Sequence, residues 1–243
     1  MLEVAGLKKS FGSIIVADDL DLVVAPGEAV GIIVPNGAGK TTLFNLITGD
    51  LLPDAGSIRL FGEEVSRYRT HRRTQRGLAR TYQIITLFPR DTLEHNIVLA
   101  LLGLKRTRWD IWSTLTDHAD LHAQAREVLE QVGLTSLAAR PVSELAYGEK
   151  RRAEIAMALA QKPRLLLLDE PLAGLSREER IGVSRLVAAI PREVTVIMIE
   201  HDMDIALELA DQITLLHYGK VIVEGPREQV VADPKTREAY LGE

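Results

Sequence analysis

The residues best suited to chemistry in this sequence are Lys40 and Thr41. They close the stretch Val34-Pro35-Asn36-Gly37-Ala38-Gly39-Lys40-Thr41-Thr42, which follows the apolar run from Ala29 and leads into Leu43-Phe44-Asn45-Leu46-Ile47. That order reads as buried strand, glycine-rich turn and amphipathic helix. Glycines let successive backbone N–H groups converge on an anion, and the helix start adds the positive end of its dipole. Such a loop cradles phosphates: Lys40 reaches the β- and γ-phosphates, and the Thr41 hydroxyl ligates Mg²⁺. The full pattern is G-x-x-x-x-G-K-[ST], with Val34 in place of the first glycine.

A second set of polar groups lies further along. Leu165 to Leu168 run without interruption into Asp169-Glu170-Pro171. A continuous apolar run fits a central parallel strand covered on both faces, and open α/β sheets bind ligands beyond the C-terminal ends of their strands. Asp169 is placed to hold Mg²⁺ together with Thr41. Glu170, on the other side of the strand end, can orient and deprotonate a water attacking the γ-phosphorus. Gln83 closes a predicted strand over 78–82 and offers an amide oxygen to Mg²⁺ or water. His201 follows the predicted strand 194–199 and can hydrogen-bond the γ-phosphate. Singly, a strand-end His or Gln is an ordinary structural residue; beside a phosphate loop, the four converge on nucleotide hydrolysis.

These groups need a scaffold. Strands are predicted over 2–7, 14–17 and 20–24, with Phe11 in the first turn, where an aromatic beside a phosphate loop suits adenine stacking. Arg67, Arg69, Arg72, Arg73, Arg76 and Arg80 read as a solvated helix face. From Thr92 to about Leu134 the apolar spacing is helical, with Trp109 and Trp112 in a polar stretch between two helices, as lobe packing or as an aromatic pair facing a partner. Helices are predicted over 150–161, 177–190 and 203–210, and strands over 213–217 and 220–224.

Composition narrows the class. The chain has 243 residues, enough for a large core, and no cysteine, which excludes disulfides, thiolate zinc sites and cysteine nucleophiles. Its formal net charge of −5 argues against nucleic acid as a partner. No apolar run approaches the roughly 18–20 residues that span a bilayer, and Met1-Leu2-Glu3-Val4 lacks the character of a signal peptide. A soluble protein is expected, with any membrane role peripheral.

Over essentially its whole length the chain resembles the ATP-binding subunits of ABC transporters. Phe11 matches the adenine-stacking aromatic, Val34 to Thr42 the Walker A loop and Gln83 the Q-loop. Leu145-Ala146-Tyr147-Gly148-Glu149 matches the signature motif and Leu165 to Glu170 Walker B. Ala173-Gly174-Leu175-Ser176 matches the D-loop and His201 the switch histidine. Within the family it is most similar to the branched-chain (hydrophobic) amino-acid uptake subgroup, through Tyr147 to Arg152, Ile199 to Met203 and the ending Glu238 to Glu243. Lipopolysaccharide-export ATPases share a similar length and ending.

The resemblance implies an α/β fold: a P-loop NTPase core with an N-terminal antiparallel β-subdomain over residues 1–84 and 162–243, and a helical signature subdomain over 85–161. It implies ATP and Mg²⁺ as cofactors, with Ala146, Tyr147, Gly148 and Glu149 meeting the nucleotide of a second ATP-binding subunit in a head-to-tail homo- or heterodimer. It implies transmembrane permease subunits docking around Gln83 to Leu93, notably Phe88-Pro89 and Arg90-Asp91. A substrate-binding protein would be an indirect partner, and the location the cytoplasmic face of the membrane. Three departures stand out. Val34 replaces a glycine, Ala146 replaces the signature serine, and Ser176 stands where the family has Asp or Asn. A slower ATPase, or a nucleotide-binding regulatory half, is the alternative these departures leave.

Overall fold

A computed structural model describes residues 1–34, 40–83, 85–105, 114 and 118–241. Pro35 to Gly39, Trp109, Trp112 and Gly242-Glu243 lie outside the described residues. The chain divides into two compact units, residues 1–80, 164–170 and 191–243 forming the first, and residues 81–163 and 171–190 the second.

In the first unit, β1 (Leu2–Phe11) and β2 (Ile14–Val24) are longer than the sequence pattern suggests. The turn needs only Gly12, at φ +61, and Ser13, while register shifts and the left-handed Asp19 absorb the polar break expected between two strands. With β4 (Ala55–Leu60) and β5 (Glu63–Glu64) they form an antiparallel sheet ordered β2-β1-β4-β5. The second sheet contains β3 (Ala29–Ile33), β6 (Leu78–Arg80), β7 (Leu165–Asp169), β8 (Thr195–Glu200), β9 (Gln212–His217) and β10 (Lys220–Pro226). Its order is β10-β9-β3-β8-β7-β6, parallel except for the β9–β10 hairpin. Every residue of β7 and β8 is buried, as the unbroken apolar runs require.

Helix α1 (Lys40–Thr48) buries Phe44, Leu46 and Ile47 in a core shared with Leu2, Leu22, Leu60, Leu165 and Ile197. The C-terminal ends of β3, β8, β7 and β6 therefore lie side by side along one sheet edge.

The arginine-rich segment is not a solvated helix face. Its helix, α2 (Thr70–Thr74), has only five residues, and three of the six arginines are tied into the fold. Arg73 is fully buried and donates to the carbonyls of Leu46 and Ile47 at 2.7 Å, Tyr68 at 2.9 Å and Ser66 at 3.2 Å. It thereby caps the last turn of α1. Burial lowers its pKa to about 10, so it remains a cation at neutral pH. Arg76 forks onto Glu63, and Arg80 is buried against Asp169. Arg67, Arg69 and Arg72, with His71, line an open cavity of about 370 Å³.

In the second unit, α3 (Leu93–Gly103), α4 (Ala119–Gln131) and α5 (Tyr147–Ala160) enclose Leu93, Ile97, Leu121, Leu129 and Ala153. Residues 171–190, which include α6 (Arg177–Ala188), group with this unit because α6 packs on α5.

Replacing Arg73 with methionine leaves its carbonyl partners without their donor in a dry site. We expect a loss of about 3 kcal/mol or more, hence a melting temperature lower by roughly 6 °C or more, measured by thermal unfolding.

Candidate functional site

The sheet edge of the first unit carries most of the candidate groups. Lys40 opens α1, Asp169 ends β7, Glu170 follows it, and His201 follows β8. The register explains their meeting: Ile33 lies beside Glu200, and Asp169 beside Ile199. Lys40 Nζ is 3.5 Å from Glu170 Oε1, and His201 Nδ1 is 3.7 Å from Glu170 Oε2. The Lys40 and Glu170 side chains are 16% and 14% exposed, whereas His201 is 47% exposed. Glu170 has φ +44, a costly conformation for a residue with a side chain, and its N–H is held by the Ile199 carbonyl at 3.0 Å. That turn separates Glu170 from Asp169, whose carboxylate is occupied elsewhere.

Arg80 pairs with Leu167 in the β6–β7 ladder, so Asp169, two residues on, shares its face within reach of a long side chain. Arg80 Nη2 donates to Asp169 Oδ2 at 2.8 Å, and Nη1 donates to Asn45 Oδ1 on α1 at 2.6 Å. Neither Arg80 nor Asn45 entered the sequence reading of the site. The available signal was the two-residue offset between β6 and β7, which only the register supplies.

The donor set here fits magnesium. Asp169 supplies oxygen and Thr41, on the first turn of α1, a hydroxyl. Among the described residues no group of three or more His, Cys, Asp or Glu is arranged to hold a metal. A hard cation would draw its other ligands from phosphate and water, as Mg²⁺ does in nucleotide sites.

Val34 does not need glycine's freedom. It is not among the described non-glycine residues with positive φ, and its side chain is 1% exposed in the core around α1. Phe11 ends β1, opposite Ile14; its ring is exposed, with Lys9 Nζ 5.5 Å from its centroid.

The remaining candidates belong to the second unit. Gln83 does not end a strand, because β6 stops at Arg80; it lies exposed in the loop beyond. Partners for this loop come from α5 instead: Arg151 donates to the Tyr82 carbonyl at 2.8 Å and Glu154 accepts from Thr86 N–H at 3.2 Å. Burial raises the Glu154 pKa against the opposing pull of Arg151.

The signature segment starts α5, with Ala146 at the N-cap. Alanine has no acceptor there, so only one half of a capping box forms, Glu149 accepting from Ala146 N–H at 2.8 Å. Gly148 N–H, in the segment that the resemblance sets against a second subunit's nucleotide, donates to Glu179 Oε1 at 2.8 Å. Glu179 also accepts from Ser176 N–H, and these backbone donors hold its pKa below the usual carboxylate range. Ser176 therefore serves as N-cap of α6. The aromatic ring of Tyr147 lies against Gly174, which has φ +73.

A family model described as ABC transporter matches residues 17–173. The high-affinity branched-chain amino acid transport ATP-binding protein BraF of Pseudomonas aeruginosa is 38% identical, covering 100% of this chain and 98% of the relative. LivG of Escherichia coli, of the same description, is 34% identical over 100% and 98%. A crystal structure of the ADP conformation of an ATP-binding cassette superposes with a TM-score of 0.88 at 28% identity, covering 100% of this chain and 99% of that one.

Replacing Val34 with glycine removes a buried side chain without relieving strain. We expect denaturant unfolding to register a loss of about 2 kcal/mol or more, with no gain in ATP turnover. Gly148→Ala would drive a methyl to 2.6 Å from Glu179 Cγ. We expect it to destabilise the chain by about 1–3 kcal/mol, partly recovered in the Gly148→Ala/Glu179→Ala double variant, as urea unfolding would measure.

Proposed function

The chain belongs to the ABC transporter ATP-binding family and is an ATPase, and from that premise we infer that it powers uptake of branched-chain or other hydrophobic amino acids across a membrane. The observation that carries the catalytic reading is the Lys40–Glu170–His201 cluster at the sheet edge. Lys40 binds the β- and γ-phosphates, so the γ-phosphate replaces Glu170 as the partner of Lys40. Released, Glu170 accepts the proton of the attacking water, and His201 donates to a γ-phosphate oxygen. Thr41 and Asp169 would hold Mg²⁺, which would neutralise charge on the phosphates. Phe11 stacks on adenine.

The signature residues Ala146 to Glu149 complete the site of a second subunit, either another copy of this chain or a sister ATPase. Permease subunits dock on the loop after Gln83. There Asn96, fully buried, accepts from Phe88 N–H and donates to the Phe88 and Thr92 carbonyls, and Phe88 itself is 59% exposed. Holding the backbone of an outward-facing aromatic in this way suits a docking anchor. Among the described residues no helix is long and apolar enough to cross a membrane, which fits a peripheral place on the cytoplasmic face beside such a permease.

The branched-chain assignment rests on the full-length similarity to BraF and LivG. Cells lacking this chain should regain uptake of radiolabelled leucine with the wild type and not with Glu170→Gln. Leucine uptake independent of the chain would remove the assignment. In purified protein, Glu170→Gln should cut ATP turnover at least 100-fold with ATP still bound, while Lys40→Ala should lose nucleotide affinity; turnover unchanged in Glu170→Gln would exclude it as the base.

A further inference from the structure

We propose that Arg80 is a positioning residue for the metal-binding half of the site, clamping Asp169 to helix α1 so that Asp169 and Thr41 face the same cation. The inference rests on the Mg-ATP reading above. The Arg80 and Asp169 side chains are both 4% exposed and meet at 2.8 Å through Nη2 and Oδ2. The other end of the guanidinium reaches Asn45 Oδ1 at 2.6 Å, and Asp50 Oδ2 lies 3.7 Å from Nη1. Asp50 is itself fixed by the hydroxyls of Thr48 and Thr70, each at 2.7 Å. The guanidinium carbon lies 5.3 Å from the centroid of the Phe44 ring. One rigid planar fork thus ties the ends of β6 and β7 to the helix that carries Thr41.

A cation beside a metal ligand has two opposed effects. Its charge repels Mg²⁺, which weakens metal binding; its hydrogen bonds hold the ligand in place, which strengthens it. The geometry favours the second. The two terminal guanidinium nitrogens are committed to different elements, Nη1 to Asn45 on α1 and Nη2 to Asp169 at the end of β7. A lysine at position 80 would keep the charge and lose the fork, since an ammonium cannot span two partners in fixed planar geometry. Charge and positioning are therefore separable by substitution.

The test is Mn²⁺ binding, followed by electron paramagnetic resonance, in the presence of ATP at a temperature where hydrolysis is negligible. Wild type, Arg80→Lys, Arg80→Met and Asn45→Ala are compared, with ATP affinity in EDTA measured alongside. The proposal expects Mn²⁺ affinity to fall at least tenfold in both Arg80 variants and by a smaller factor in Asn45→Ala, with EDTA affinity within twofold of wild type. Should Arg80→Met fail to fold, Arg80→Lys and Asn45→Ala carry the same comparison. Unchanged Mn²⁺ affinity, tighter binding in Arg80→Met, or wild-type affinity in Arg80→Lys would overturn the clamp. If wild type binds Mn²⁺ no better with ATP than without, the Mg-ATP reading fails and the clamp with it.

Discussion

Two adjacent carboxylates at the end of a buried strand repel each other and lose hydration, and this structure gives each its own cation. Asp169 takes Arg80 from β6, and Glu170 takes Lys40 from the start of α1. The arrangement depends on the carboxylates facing apart, which the left-handed backbone at Glu170 provides. It also depends on the offset between β6 and β7, which brings Arg80 diagonally to Asp169, and on α1 starting where the Lys40 side chain reaches Glu170. The rest of the first unit fixes those relations. Arg73 ties the far end of α1 to the Ser66–Tyr68 segment, and the β7–β8 pairing holds the strand ends level.

The two cations have different fates in the functional reading. Lys40 is exchangeable: its 3.5 Å contact to Glu170 is loose, partly solvated, and easily given up to a phosphate. Arg80 is permanent, buried and hydrogen-bonded on two sides. A site built this way keeps its metal ligand fixed while freeing its base when substrate arrives. The second unit shows a similar economy. Helix α5 carries the signature residues at its start and, one and two turns on, uses Arg151 and Glu154 to hold the loop containing Gln83.

Much of this was legible in the sequence. The apolar run of β3, helix α1 from Lys40 and the four-leucine run into Asp169-Glu170 identify themselves by apolar periodicity and by the polar groups that follow or precede it. Val34, which stands where the loop pattern has glycine, directly follows β3 and is buried in the core around α1, so a β-branched side chain fits there. Interactions set by register or by tertiary approach were not legible. Arg73 and Arg80 looked like members of a surface run, since a sequence does not display four converging carbonyls or a diagonal carboxylate. Nor does a sequence show that the Gly148 N–H is taken by Glu179, thirty-one residues away, through the packing of α6 on α5.

The central claim is that the edge formed by β3, β8, β7 and β6 is where ATP is bound and cleaved, with Lys40 exchanging a carboxylate for a phosphate. A crystal structure of the chain with Mg²⁺ and a non-hydrolysable ATP analogue tests it most directly. The account predicts the γ-phosphate against Lys40 Nζ, the metal between Thr41 and Asp169, and Glu170 released from Lys40 towards a water. Nucleotide bound away from this edge, or Lys40 still paired with Glu170 while the phosphates lie elsewhere, would contradict it.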